Sequence, residues 1–211
     1  MFHLIKRSQV EWLVLLAALL SGCQTISPTH ESKSTSNLEK PSVLHAKHMA
    51  AIEKIQEFSM RGRIAVITNQ KNASARLAWE HSPHSDNVDI YSPLGGKVAS
   101  IIKTPEQVTF KDNEQTLTAY DTESLTQETL GFRLPLSGLS YWALGKPSNQ
   151  SLANVITWDN DGKTKTLLQD GWNIEYKDYL KHKGYTLPRK VSLSNELISI
   201  KLIVDNWDKV Q

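Results

Sequence analysis

Apolar and polar side chains alternate along much of the sequence after residue 58, and this period of two constrains the fold more than any other feature. Every second side chain of a β-strand lies on the same face, so alternation is typical of strands with one buried face. The pattern and the turn residues between its segments predict about eleven strands. They span residues 59–69, 73–81, 87–92, 97–104, 107–111, 115–120, 153–158, 163–169, 172–179, 189–194 and 197–207.

Three segments have a helical pattern instead. Ser42 is predicted as the N-cap of a first helix, in which apolar residues recur at spacings of three and four through 44–55. Shorter helices are predicted at 122–130, where Gly131 provides the stop, and at 136–144. The last two interrupt the run of strands.

A long antiparallel sheet curls, and helices before and within it can plug or cover the resulting barrel. The predicted fold class is therefore mostly β, an antiparallel barrel of about eleven strands with an N-terminal helix and a helical lid inserted in mid-chain. Alternate apolar side chains would line its interior. Periodicity leaves open whether that interior is filled or is a hollow that binds an apolar ligand.

The start of the chain has the pattern of a bacterial lipoprotein. A positively charged beginning precedes an apolar run at 13–20, which is shorter than the roughly 20 residues that span a bilayer. The small residues Ser21 and Gly22 come directly before Cys23. This pattern differs from the A-x-A-like site of an ordinary signal peptide. We predict a lipoprotein signal peptide at 1–22 and lipidation of the Cys23 thiol.

The rest of the chain is predicted to consist of a tether and one domain. Residues 23–41 are rich in Ser, Thr, Pro, Lys and Glu, so they are predicted to be flexible. Residues 42–211 are of single-domain size, and no cysteine remains for a disulfide once Cys23 is lipidated. Gln24, where inner-membrane lipoproteins of enterobacteria carry aspartate, indicates the outer membrane.

Several function classes are disfavoured by the sequence. The net charge is +2 and no long basic block occurs, so nucleic-acid binding is not predicted. No catalytic motif is found, and neither enzyme activity, a cofactor nor a metal is predicted. The turn at 159–162 begins like a calcium loop but lacks its closing glutamate, so a hairpin turn is expected. The histidine pairs His45/His48 and His81/His84 lack cysteine or carboxylate partners.

One turn has an unusual composition. In the segment 93–96, Leu94 lies between proline and two glycines, where a polar residue is the usual choice. The segment joins two predicted strands, so its central side chain is expected to project outward. An ordinary turn residue that folds back on the sheet is the alternative.

Six short runs of residues follow one another along the chain. They are Met60-Arg61-Gly62-Arg63-Ile64-Ala65-Val66, Ala75-Arg76-Leu77-Ala78-Trp79, Ser92-Pro93-Leu94-Gly95, the run 134–147 from Leu134 to Pro147, Gly171-Trp172-Asn173-Ile174-Glu175-Tyr176 and Val204-Asp205-Asn206-Trp207. No single run is a strong motif, but their order behind a lipoprotein signal is specific. Together the six runs resemble the LolB family of outer-membrane lipoprotein receptors.

The resemblance implies a half-open barrel with a helical lid and a role in lipoprotein transfer. A periplasmic carrier of the LolA type would hand a triacylated lipoprotein to this receptor, which faces the periplasm from the outer membrane and inserts the cargo into the inner leaflet. It also implies that Leu94 contacts the membrane. We expect a monomer whose acyl-chain cavity is lined by the inner face of the first strands and by the lid. The nominated residues are Ile64, Val66, Leu77, Trp79, Ile90, Leu125, Leu130, Leu136 and Trp142.

Two alternatives remain at this point. The protein could be a structural or assembly-complex outer-membrane lipoprotein with a solid barrel. A lipid hydrolase is the other, although no nucleophile is visible in the sequence. The state of the barrel interior distinguishes the receptor from the solid barrel.

Overall fold

The computed structural model describes residues 39–69 and 72–211, which form three helices and eleven strands. The predicted signal peptide, Cys23 and nearly all of the predicted tether lie outside the described residues. In chain order the elements are α1 (Pro41–Ile52), β1 (Phe58–Thr68), β2 (Asn72–Ser82), β3 (Ser85–Tyr91), β4 (Lys97–Lys103), β5 (Val108–Asp112), β6 (Thr116–Ala119), α2 (Thr122–Leu130), α3 (Leu136–Trp142), β7 (Val155–Trp158), β8 (Thr164–Gln169), β9 (Trp172–His182), β10 (Tyr185–Ser194) and β11 (Ile198–Val210).

All eleven strands form one antiparallel sheet in the order β6-β5-β4-β3-β2-β1-β11-β10-β9-β8-β7. The first and last strands pair at its centre, which joins two meanders into one surface. Within the described residues β6 and β7 are edges that no ladder joins, so the barrel is half-open. The predicted fold class and the number of strands are confirmed.

The inner face of the sheet carries the core. Met60, Val66, Leu77 and Trp79 are each at most 5% exposed and belong to one apolar cluster, as the period of two predicts. Gly62 is required where β11 approaches β1, because a Cβ there would lie 2.3 Å from the Ile203 carbonyl oxygen. Its absence allows the register shift at this point of the ladder.

Three predicted boundaries are wrong. The first helix begins at Pro41 behind Lys40, not after an N-cap at Ser42, because proline at the first helical position already has a helical φ. The segment 180–188 lies between two predicted strands, but its residues extend β9 and β10 and form the hairpin that joins them. Pro188 can lie in β10 because β10 pairs with β11 only from residue 190 onward. At Pro188 the missing backbone N–H therefore removes no hydrogen bond to β11.

The third boundary concerns Leu197, which was expected to open the last strand. The Asn195 side-chain oxygen accepts the backbone N–H groups of Leu197 and Ile198 at 2.9 and 3.0 Å. This side-chain hydrogen bonding holds Leu197 in the turn, and β11 begins one residue later.

The two ends of the sheet are distinguished by their turns. Because the strands alternate in direction, the connections after β1, β3, β8 and β10 all lie at one end, which we call the Leu94 end. Helix α1 lies at the other, the α1 end, where the His45 ring nitrogen is 2.9 Å from the Gly162 carbonyl oxygen in the β7–β8 turn. None of the described helices is long and apolar enough to cross a membrane.

Candidate functional site

Helices α2 and α3, with the connection between them, form a lid (residues 122–142) over the concave face of the sheet. Helix α2 contacts β5 and β6 at one edge. At the end of α3, the Trp142 ring lies 6.4 Å from the Trp172 ring of β9. The lid therefore extends from one side of the half-open barrel to the other. Its inward side chains, including Leu125, Leu136 and Leu139, are at most 2% exposed.

Local hydrogen bonds fix the conformation of the lid. The Asp121 carboxylate accepts the backbone N–H of Ser124 at 2.7 Å and caps α2, and this bond lowers the pKa of the Asp121 carboxyl group. The buried Thr126 hydroxyl accepts the Leu134 N–H at 2.9 Å, which ties the connection back to α2. Gly138 is needed on α3 because a Cβ there would lie 2.7 Å from the Trp142 ring.

Gln169 at the end of β8 attaches the lid to the sheet. Its side chain is fully buried. The side-chain oxygen accepts the Trp142 indole N–H at 2.9 Å and the Ser148 backbone N–H at 2.8 Å. The side-chain nitrogen donates to the carbonyl oxygens of Ser148 and Ser151 at 2.9 and 2.7 Å. Sequence patterns gave no sign of this role, since an isolated glutamine carries no periodic signal.

A pocket of about 750 Å³ opens at the Leu94 end, between the lid and the turns after β8 and β10. Trp142, Trp172 and Phe132 supply aromatic surface, while one face of α2, with Glu123 and Gln127, is polar. A ligand pocket of this size with mixed walls suits an amphipathic ligand. Except for Trp142, the residues lining it were not nominated from the sequence, because most lie in turns and lid connections.

The nominated cavity residues lie together but are packed rather than open. Val66, Leu77, Trp79, Leu125, Leu136 and Trp142 are buried in the apolar cluster, and Ile64, Ile90 and Leu130 pack against it partly exposed. Of the nine, only Trp142 borders one of the three pockets described. The described part of the interior is therefore filled in this conformation, and the role of these residues in ligand binding stays a prediction.

The Leu94 turn is a rigid projection. The Gly95 N–H donates to the Ser92 carbonyl at 2.9 Å, and the Ser92 N–H donates to the Gly96 carbonyl at 2.8 Å. Gly95 has φ +102°, which only glycine adopts without strain. Leu94 is 99% exposed, so the side chain does not fold back on the sheet.

A second pocket of about 720 Å³ lies at the α1 end and is lined by charged groups such as Lys103 and Lys146. Beside it the buried Asp86 carboxylate accepts the Trp79 indole N–H at 2.9 Å and lies 2.7 Å from the His81 ring nitrogen. Burial lowers the pKa of the Lys146 ammonium group, which donates to the carbonyl of Ile52, the last residue of α1, and to that of Ile55. No cluster of three potential metal ligands occurs among the described residues.

Comparison with known proteins identifies the family. The family model described as Outer membrane lipoprotein LolB matches residues 56–207. The chain belongs to the LolB family. The outer-membrane lipoprotein LolB of Thiobacillus denitrificans is 31% identical over 91% of this chain and 93% of its own length. That of an Azoarcus species is 29% identical over 92% of each.

The crystal structure of a LolA superfamily protein from Nitrosomonas europaea covers 80% of this chain and 93% of its own, with a TM-score of 0.48 and 7% identity. The six runs that resemble the LolB family, from Met60 to Trp207, all lie within the matched segment. The family prediction from the sequence is therefore confirmed.

Proposed function

We propose that this protein is an outer-membrane lipoprotein receptor that accepts triacylated lipoproteins from a periplasmic carrier of the LolA type and inserts them into the inner leaflet of the outer membrane. Membership of the LolB family supports the proposal, and so does the fold, a half-open barrel with an apolar inner face under a lid. Three acyl chains carry tens of methylene groups at about 0.8 kcal/mol each, so a free lipoprotein would not leave a membrane or carrier unaided.

Acyl chains would enter where the lid now packs. The inner-face residues Val66 and Leu77 are buried, so binding would require the lid to move and uncover the inner face. The lid is attached through Gln169 and through apolar contacts, and an acyl chain can replace the apolar contacts. The pocket at the Leu94 end would be the opening through which the chains pass.

The single observation that carries the proposal is Leu94. A leucine that is 99% exposed at the tip of a hydrogen-bonded turn has no packing role. Burial in lipid would contribute about 1.5–3 kcal/mol, which is too little to anchor a protein but enough to favour a brief contact. Leu94 would therefore bring the pocket at this end to the bilayer during release.

Permanent attachment would come from the Cys23 lipids, after removal of the signal peptide at 1–22. Residues 23–41 would be the tether and 42–211 the lipoprotein-binding domain. Because α1 lies at the end of the barrel opposite Leu94, the tether must reach past the barrel for both to contact one membrane. A strand the length of β1 is roughly 36 Å long, and the tether can extend to roughly 60 Å, so its length suffices.

Transfer with purified components tests the receptor role. The protein is incubated with a carrier loaded with a lipoprotein, and movement of the lipoprotein is followed to this protein and then to vesicles. The probe bis-ANS reports the apolar interior, and we expect the lipoprotein to displace it. Failure to take cargo from the carrier, together with no displaceable probe, would favour the solid-barrel alternative, which the family membership disfavours.

The anchor is tested separately by Cys23→Ala. We expect the variant to be recovered from the soluble periplasmic fraction with an unchanged melting temperature, since the lipidated residue lies outside the folded domain. A variant that stays in the membrane fraction would contradict lipidation at Cys23. The monomeric state is checked in the same preparation by light scattering.

A further inference from the structure

A second leucine occupies the same kind of position as Leu94. Leu197 is the third residue of the turn from Asn195 to Ile198 that joins β10 to β11, as Leu94 is the third residue of the turn that begins at Ser92. The Asn195 N–H donates to the Ile198 carbonyl at 3.0 Å, and the Asn195 side chain fixes the rest of the turn. Leu197 is 73% exposed. The turn is thus a rigid support that holds a leucine in solvent.

A third leucine projects from the same end. The loop before β7 is held at Ser151, whose carbonyl accepts from Gln169 and whose hydroxyl donates to the Asp170 carboxylate. Asp170 belongs to the β8–β9 turn, which places this loop at the Leu94 end. The next residue, Leu152, is 91% exposed. Hydrogen bonds therefore hold the residue before Leu152, while the Leu152 side chain is almost fully exposed.

Both leucines stand beside the pocket at this end. Leu197 lines the pocket, and Ser151, the neighbour of Leu152, lines it from the other side. We propose that Leu152 and Leu197, together with Leu94, form an apolar rim that seats this pocket directly on the surface of a lipid bilayer. The proposal rests on the receptor function proposed above and adds the residues and the orientation of the membrane contact.

The spacing of the rim favours lipid over a protein partner. With about 4.8 Å between neighbouring strands, the Leu94 and Leu197 turns are roughly 19 Å apart along the sheet, and the Leu152 loop is farther still. Protein interfaces are continuous, complementary surfaces of roughly 1,200–2,000 Å². Single apolar tips that are far apart do not form such a surface, whereas a fluid bilayer receives each tip independently.

The neighbouring charges indicate the kind of lipid surface. Glu196 directly precedes Leu197, and Asp170 lies beside the Leu152 loop. Acidic groups are repelled by anionic lipids, so the contact must depend on apolar insertion and not on attraction to charge. We therefore expect the rim to engage zwitterionic lipid and to be nearly insensitive to salt.

The full-length lipidated protein in vesicles of phosphatidylethanolamine and phosphatidylcholine provides the test. A cysteine introduced by Leu197→Cys or Leu152→Cys is labelled with an environment-sensitive fluorophore. Tyr120→Cys is the matched control, because Tyr120 is 93% exposed at the α1 end. We expect the labels at 152 and 197 to lose quenching by aqueous iodide and to be quenched by nitroxide-bearing lipids, with the reverse at 120.

Delivery of lipoprotein to these vesicles is measured in parallel. Leu197→Glu and Leu152→Glu are each expected to slow delivery by about tenfold while Tyr120→Glu delivers normally, since one leucine inserted in lipid accounts for a factor of this size. Leu197→Ser serves as a second variant if the glutamate lowers the melting temperature. Leu152→Glu and Tyr120→Glu, which do not line this pocket, should accept cargo from the carrier at the normal rate.

Two results would overturn the rim. Labels at 152 and 197 that stay open to iodide while the wild-type protein delivers cargo would show that these leucines do not reach lipid. Glutamate variants that lose acceptance from the carrier, with labels still aqueous, would show that this end docks on the carrier. If the wild-type protein itself fails to deliver, the receptor function is wrong. The contact with lipid is then tested only by the quenching of the fluorescent labels.

Discussion

The α1 end and the Leu94 end of the barrel differ in how their apolar side chains are placed. At the α1 end, Phe58 packs against the rings of Trp79 and Trp207 at 5.1 and 5.4 Å. The backbone N–H groups of Gln56 and Glu57 donate to the Gln211 carbonyl there. At the Leu94 end, three turns or loops fixed by hydrogen bonds each hold a leucine in solvent.

This difference indicates a division of roles between stability and delivery. Packed aromatic rings at the α1 end contribute to the free energy of unfolding, whereas an exposed leucine contributes almost nothing to it. Variants at the α1 end should therefore lose stability first. Variants at the Leu94 end should lose transfer of cargo to membranes while the fold persists.

The largest effect is expected at the α1 end from Phe58→Ala. Phe58 is 1% exposed and also stacks on His81 at 4.9 Å. Its removal leaves a cavity among three rings, so the free energy of unfolding should fall by about 3–5 kcal/mol. Denaturant unfolding measures the change. A loss below about 1 kcal/mol would mean that the α1 end does not carry the stability assigned to it.

A smaller effect is expected from Gln169→Leu, which detaches the lid. The substitution leaves the buried Trp142 indole N–H and the buried backbone groups of Ser148 without their partner, and such a loss costs about 1–3 kcal/mol. The variant should also bind bis-ANS more readily, because a looser lid uncovers the inner face. Gln107→Leu, at an exposed glutamine of the β4–β5 turn that lines none of the described pockets, is the control. Equal probe binding by both variants would contradict the attachment of the lid through Gln169.

A pH-dependent contribution to the free energy of unfolding is expected from His48, which lies at the α1 end. Burial lowers the pKa of the His48 imidazole, and the nearby His45 and Lys163 act in the same direction, against Asp159. As the pH falls, the His48 imidazole is therefore protonated first in the unfolded chain, near its ordinary pKa of about 6.5. Stability contributed by neutral His48 is present above that pH and is lost as the pH falls towards the folded-state pKa.

The His48→Gln variant isolates this contribution. Unfolding curves at pH 7.5 and at pH values below about 6.5 are compared between the variant and the wild-type protein. The difference in stability between the two proteins should shrink as the pH falls. A difference that is constant with pH would contradict the lowered pKa of His48.

Alternation and turn residues were sufficient to predict the number of strands and the lid, because each depends on local sequence. The hairpin at 180–188 was missed because Pro188 can lie in a strand only where β11 does not pair with β10. The sequence does not show where that pairing ends, since it depends on the order of strands in the sheet. Gln169 was missed since its three partner residues, Trp142, Ser148 and Ser151, come together only in the folded chain. Leu197 could have been found, because a leucine beside Asn195-Glu196 is as unusual in a turn as Leu94 between proline and glycine.

The Leu94→Glu variant is expected to have the smallest effect on stability and a large effect on function. The side chain contacts nothing, and the turn is fixed by Gly95 and by hydrogen bonds of Ser92, so the free energy of unfolding should change by less than about 0.5 kcal/mol. Acceptance of lipoprotein should be unchanged because the inner face and the lid are intact. Delivery to vesicles should fail, since a charged tip resists entry into lipid.

Tyr120→Glu, equally exposed at the α1 end, should deliver normally. Normal delivery by Leu94→Glu would reduce Leu94 to an ordinary turn residue and remove the functional contrast between the two ends.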